Sequence, residues 1–126
     1  MSENAVGARV TRMAQTQEIV EDWGAIRWLA GRALGNAENV TVGLVTIRRG
    51  RSNPRHSHPN SEEVLHLVQG RLEHTFGAES AILEPGDTIV IAPGAPHNAR
   101  SIGDEDAEMI VAYPTGGRQF HREDAP

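Results

Sequence analysis

Gly50-Arg51-Ser52-Asn53-Pro54-Arg55-His56-Ser57-His58-Pro59-Asn60-Ser61-Glu62-Glu63 opens the stretch that decides the fold, and Val64-Leu65-His66-Leu67-Val68-Gln69-Gly70 closes it. In an extended segment residues i and i+2 point to one face, so His56 and His58 can aim both imidazoles at a single point. Neutral imidazole is the commonest protein metal ligand, and two converging rings make half a site. Such pairs also occur by chance, so the pair needs company. A carboxylate follows at Glu63, at the mouth of the next apolar run. A third imidazole, His97, comes directly after Pro93-Gly94-Ala95-Pro96, a turn whose prolines restrict the backbone and so pin the direction of the ring. Three histidines and one glutamate at strand ends or rigid turns form a far more specific pattern than any pair.

Outward from this stretch the chain reads as short apolar runs cut by glycine and proline. Strands are expected at Ala25–Leu29, Val40–Arg48, Val64–Val68, Arg71–Phe76, Ser80–Leu83, Thr88–Ile91, Asn98–Ser101 and Glu108–Tyr113. Turn signals separate them, among them Gly50, Asn53-Pro54, Gly70, Gly77, Pro85-Gly86-Asp87 and Gly103-Asp104. Closely spaced short strands without a long helical pattern predict an all-β sandwich or barrel. Residues 1–22 read as an N-terminal arm able to hold a helical turn or an edge strand. Residues 23–115 form the barrel domain, and 116–126 form a C-terminal tail expected to be loosely held unless it swaps onto a neighbouring subunit.

The spacings resemble those of the cupin superfamily. Its first motif, G-x5-H-x-H-x3,4-E-x6-G, is matched by Gly50, His56, His58, Glu63 and Gly70. Its second, G-x5-P-x-G-x2-H-x3-N, is matched by Gly86, Gly94 and His97, with Ala92 where the pattern has proline and Ser101 where it has asparagine. Neither departure falls on a ligand position. The resemblance implies a jelly-roll barrel (a double-stranded β-helix) holding one divalent metal through His56, His58, Glu63 and His97. Proteins of this kind include dioxygenases, isomerases, decarboxylases, lyases and plain binders, and the fold does not choose among them.

Strand alternation refines the site. With Glu63 inward, Leu65 and Leu67 also face in and His66 faces out, whereas Glu62 inward would bring His66 into the interior. Glu63 is therefore the expected ligand and His66 a surface or interface residue. His74 shares a side with Leu72 and Phe76. It is the candidate catalytic residue, as an acid–base or substrate-orienting group, set against a plain core histidine bonded to a neighbour. Trp28, Met109 and Tyr113 are candidate pocket-lining residues; Arg27, Arg48 and Arg100 are expected outward, and His121 solvated.

Composition narrows the function. A chain of 126 residues suffices for one domain. Its net charge of −5 argues against nucleic acid as a partner. All 12 cationic side chains are arginine, which removes Walker-type and Schiff-base lysines. The absence of cysteine removes disulfides and thiol nucleophiles. No apolar run reaches the ~20 residues of a membrane span and no signal-type segment stands at the start, so a cytoplasmic protein without a membrane partner is expected. An N3O ligand set favours five- or six-coordinate Fe(II), Mn(II), Ni(II) or Co(II); Zn(II) is possible, but in tetrahedral form it would be saturated by the set unless it expanded its shell or shed a ligand. The expected function is a metal-dependent enzyme acting on a small oxygenated metabolite, with a non-catalytic small-molecule-binding or sensing barrel as the alternative. A homodimer is expected, because a small barrel poor in aromatics tends to cover one outer face with a second copy.

Overall fold

The structure, a computed structural model, describes residues 7–124. Eleven strands run in chain order: β1 Glu18–Glu21, β2 Gly24–Ala30, β3 Thr41–Ile47, β4 His56–Ser57, β5 Glu63–Gln69, β6 Leu72–Phe76, β7 Glu79–Leu83, β8 Thr88–Ile91, β9 His97–Ser101, β10 Ala107–Tyr113 and β11 His121–Arg122. They form two antiparallel sheets, one ordered β1-β2-β3-β10-β5-β8 and the other β11-β4-β9-β6-β7. From β7 to β11 successive strands alternate between the sheets, which is the jelly-roll arrangement. Every strand expected from the sequence is present within two residues of its stated ends.

The alternation of side chains builds the interior. In β3 the buried positions are Thr41, Gly43, Val45 and Ile47; in β10 they are Ala107, Met109, Val111 and Tyr113. The register pairs Met109 with Val45 on one side and Leu67 on the other, so these inward residues stack into one layer. Leu72 and Ala99 of the opposite sheet face that layer in the same core. Full burial of a leucine such as Leu67 or Leu72 contributes about 2 kcal/mol each, which suffices to set the inward face against any slip by one residue.

Within the described residues both the arm and the tail join the sheets. The arm holds a short 3-10 turn at Met13–Gln15 and the edge strand β1, which pairs with β2 from Glu18 opposite Arg27 to Glu21 opposite Gly24. The tail does not hang free, contrary to expectation. Its strand β11 pairs with β4, His121 opposite Ser57 and Arg122 opposite His56. The reason is a run of specific ties that the composition of the tail does not advertise. Arg32 N donates to Gly116 O (2.9 Å), Gln119 N to Asn60 Oδ1 (2.8 Å), and Glu123 N to Arg55 O (3.0 Å). Among the described residues no helix is long and apolar enough to cross a membrane.

Candidate metal centre

Four elements deliver one donor each. His56 lies in β4, His58 just beyond it, Glu63 opens β5 and His97 opens β9. β4 and β9 pair through His56 opposite His97, and β5 faces them from the other sheet. All four side chains are buried, and their ligand atoms lie within 4.8 Å of one another. Glu63 is 4% exposed while Glu62 is exposed to solvent, as strand alternation requires.

The second nitrogen of each ring settles what the first can do. Nδ1 of His56 lies 2.6 Å from Pro54 O, Nδ1 of His58 lies 2.8 Å from Gln119 O, and Nδ1 of His97 lies 2.9 Å from Ala95 O. Carbonyl oxygens only accept, so each Nδ1 carries the proton. In the neutral ring Nε2 is then a bare lone pair, the arrangement found in metal-ligating histidines. These lone pairs face a carboxylate: Glu63 Oε1 lies 3.0 Å from His97 Nε2 and 3.1 Å from His58 Nε2. The direction of the second contact leaves His58 Nε2 buried without a hydrogen bond. A cluster of acceptors with an orphaned buried nitrogen is what a cation corrects. The residues therefore fit a divalent ion.

Electrostatics agree. Burial holds His56 down to about 4, against the smaller opposing effect of its bond to Pro54, so its ring is neutral at neutral pH. Burial alone would raise Glu63, but hydrogen bonding and charge from His58 and His97 outweigh it and keep the carboxyl below the usual carboxylate range, a pull that needs a proton at Nε2 and that a cation at the same place would supply in its stead. Tyr113, beside that carboxylate, is pushed above the ordinary phenol range, first by burial and then by the Glu63 charge.

The turn ahead of His97 closes despite Ala92 standing in place of proline. Ala95 N donates to Ala92 O (3.2 Å), and Gly94 N donates to His58 O (3.0 Å), so the turn also steadies the second ligand. Ser101, where the family pattern has asparagine, is fully buried and is bonded through its backbone to Gly50 and Arg51.

The donors stand at one end of a cavity of about 720 Å³, whose apolar walls include Ile26, Val45, Leu65 and Met109. Trp28, Met109 and Tyr113 line it; Arg27, Arg48 and Arg100 do not. His66 lies on the outer side with Nδ1 2.8 Å from Thr88 Oγ1, and His121 is exposed. His74 is buried and lines the cavity, its ring parallel to that of His97 with centroids 5.7 Å apart. Its Nδ1 donates to Thr75 O (3.0 Å), and burial lowers its pKa to about 4, so it faces the cavity as a neutral ring.

Sequence reasoning missed the tail. Phe120 stacks on His56, with ring centroids 4.7 Å apart and planes 27° apart, and Gln119 supplies the carbonyl that orients His58. Arg118 enters the same cavity. The one available signal was Gly116-Gly117, since paired glycines mark a sharp or crowded passage. At Gly116 a Cβ would stand 2.0 Å from Glu38 O. Gly116→Ala will therefore lift the tail from the barrel at a cost of about 1–2 kcal/mol to the whole fold. Hydrogen exchange is the check: the amides of Gln119 and Glu123 lose protection, while those of β5 and β10 keep theirs.

A family model described as "Cupin domain" matches residues 43–113. Germin-like protein 3-8 of Oryza sativa is 34% identical over 83 residues, covering 62% of this chain and 37% of the rice protein. Polyketide synthase CurC of Streptomyces cyaneus is 33% identical over 87 residues, covering 69% of this chain and 56% of CurC. This chain thus spans little more than a third to a little over half of those relatives. Among solved structures, a formate complex of Lactobacillus farciminis oxalate decarboxylase superposes with a TM-score of 0.83 at 21% identity, covering 96% of this chain and 39% of that one. A variant of Bacillus subtilis oxalate decarboxylase OxdC gives a TM-score of 0.81 at 19% identity, covering 89% of this chain and 31% of that one. At such identities the structures speak to the fold.

Proposed function

This chain belongs to the cupin family, and on that premise we propose that it is a metal-dependent enzyme acting on a small oxygenated metabolite at a mononuclear centre held by His56, His58, Glu63 and His97. One observation carries the reading: every imidazole of the set is anchored through Nδ1, which leaves bare nitrogens around a buried carboxylate. Fe(II), Mn(II), Ni(II) or Co(II) suits these donors best, because four protein ligands leave such ions with open positions. A bound ion of this kind supplies Lewis-acid polarisation of a substrate oxygen or a route to dioxygen chemistry.

The protein's own residues do the rest. The apolar walls exclude water and so strengthen each polar contact to a bound molecule. His74 presents a neutral ring whose pKa, lowered by burial, makes it a poor proton store at neutral pH; its role is to accept a hydrogen bond and orient a substrate hydroxyl. The reading is tested by reconstituting metal-free protein with each ion in turn, then screening oxygen consumption and turnover of small hydroxy and keto acids. Turnover that follows one ion and disappears on chelation supports it. Full loading with no turnover of any substrate class would leave a binding barrel.

We further propose a homodimer, supported by the outer face of the larger sheet. Val64, Val90 and Ile110 are 37%, 58% and 38% exposed, and the register places Val64 opposite both Val90 and Ala112. Light scattering at micromolar concentration is expected to give twice the chain mass, and Val90→Glu with Ile110→Glu to give a monomer.

A further inference from the structure

We propose that Arg118 is the anion-recognition residue of the cavity, and that the molecule it selects carries a single carboxylate on an apolar body. The inference rests on the metal-enzyme reading for its setting and extends it to the chemical class of the substrate.

Three arginines line the cavity, and two are already neutralised. Arg55 pairs with Glu123 (3.1 Å) and also bonds to Thr75 and Gly77. Arg122 holds Asp124 through two contacts, 2.9 and 3.0 Å. Arg118 has no carboxylate within ion-pair distance among the described residues. Its Nη1 lies 3.4 Å from Nδ1 of His58. That nitrogen already donates its proton to Gln119 O at 2.8 Å, so it cannot also accept one. The guanidinium donors are thus left without a strong acceptor.

The group is nevertheless held in place. Its Cζ sits 4.5 Å from the ring centre of Trp28, 5.2 Å from that of Tyr113 and 5.4 Å from that of Phe120. The residues on either side are tied to one side chain: Asn60 Nδ2 donates to Gly117 O (3.2 Å) and Gln119 N donates to Asn60 Oδ1 (2.8 Å). A planar fork caged by aromatic faces and backed by an anchored backbone loses little entropy on binding, which is the condition under which a bidentate arginine–carboxylate contact is strong. Its position relative to the metal donors suits a short molecule. Nη1 lies beside His58 Nδ1, whereas the donors converge on the Nε2 side of that ring, one imidazole width away.

The charge around the cavity favours a ligand of one negative charge over one of two. Glu21, Asp22, Glu123 and Asp124 line the outer part, and only Glu123 and Asp124 are paired with arginine. Glu21 and Asp22 act on Arg122 without an ion pair and repel a dianion more strongly than a monoanion; Glu63 offsets part of the charge of the proposed ion, and Arg118 is the cavity arginine without a paired carboxylate among the described residues, so a monocarboxylate is the better match.

The test uses metal-loaded protein and the fluorescence of Trp23 and Trp28, both of which line the cavity, with phenylacetate as the carboxylate probe and phenylacetamide as its neutral twin. Wild type is expected to bind phenylacetate at least about tenfold more tightly than the amide. Arg118→Met keeps the length and apolar contact of the side chain, and it is expected to erase that preference while metal content and protection of the Gln119 amide stay unchanged. Arg118→Lys, with the charge but not the fork, is expected to keep only part of it. Equal binding of acid and amide by wild type, no binding of the acid at millimolar concentration, or an Arg118→Met variant with the wild-type preference would each overturn the proposal. Repeating the titrations on metal-free protein separates the two readings. Loss of metal uptake with the acid preference intact would sink the metal enzyme and spare Arg118; intact uptake without the preference would do the reverse.

Discussion

Glutamine in place of Glu63 is expected to strip the barrel of its metal while leaving the fold standing. Glu63 supplies the only negative charge among the four donors. Glutamine has nearly the same shape, so it fills the site without a cavity, but it offers a neutral carbonyl where an anion stood. In an interior of low effective dielectric one unit of charge at ligand distance counts for several kcal/mol, so affinity for a divalent ion should fall by about 100-fold or more. Elemental analysis after dialysis against a metal-buffered solution reads this directly, with near-stoichiometric metal in wild type and a small fraction in the variant. His66→Ala, on the outer side of the same strand, should load like wild type. The metal-free variant should melt a few degrees below metal-free wild type at neutral pH, since the contacts with His58 and His97 that hold Glu63 below the usual carboxylate range favour its charged form in the fold and are lost with the amide. A glutamine variant that retained metal at full stoichiometry would remove Glu63 from the ligand set.

Gly24→Ala is expected to be the most damaging single-methyl change in the protein. Gly24 begins β2, lies opposite Glu21 of β1 and Ile47 of β3, and is buried. A Cβ there would stand 1.8 Å from Thr46 O and 2.9 Å from Thr46 C. The obstruction is the backbone of a strand whose residues Val45 and Ile47 belong to the core, so no rotamer change relieves it. Either the β2–β3 pairing opens or β3 shifts against β10, and both disturb buried layers. A cost of about 4 kcal/mol or more follows, in the range reserved for named steric or cavity mechanisms. Because β2 carries Ile26 and Trp28, both cavity-lining, the damage reaches the site. Chemical denaturation should show a lower midpoint, and the combined emission of Trp23 and Trp28 should shift red in the native baseline. Gly77→Ala provides the contrast: no atom lies within 4 Å of the position its Cβ would take. Its positive φ of 59° then costs about 1 kcal/mol.

How much of this molecule a reader of the sequence could see depends on the range over which each feature is encoded. The strands were legible because alternation with a period of two is local, and Glu63 was separable from Glu62 by the same rule. The inward positions of Leu65 and Leu67 and the outward one of His66 follow from it too. β4 and β11 were not legible, since two residues carry no period. Their pairing is decided by a contact more than sixty residues apart in the chain, His121 opposite Ser57.

The convergence of His56, His58, Glu63 and His97 belongs to what the sequence by itself determined. Fixed spacings around turn-forming glycines and prolines leave the backbone few ways to run, and buried imidazole and carboxylate have one economical use together. What the tertiary structure alone decided is the tail and everything it does. Arg118, Gln119 and Phe120 have no motif, no period and an unremarkable composition. They reach the site because Gly116 passes against the Glu38 backbone, where no side chain fits, and because Asn60 holds the chain on both sides of Arg118. Such contacts are single, long-range and set by shape, so they leave no pattern along the chain. The half of the cavity that carries the four candidate ligands is therefore written in local sequence, and the half lined by the tail emerges only when the two ends of the domain meet.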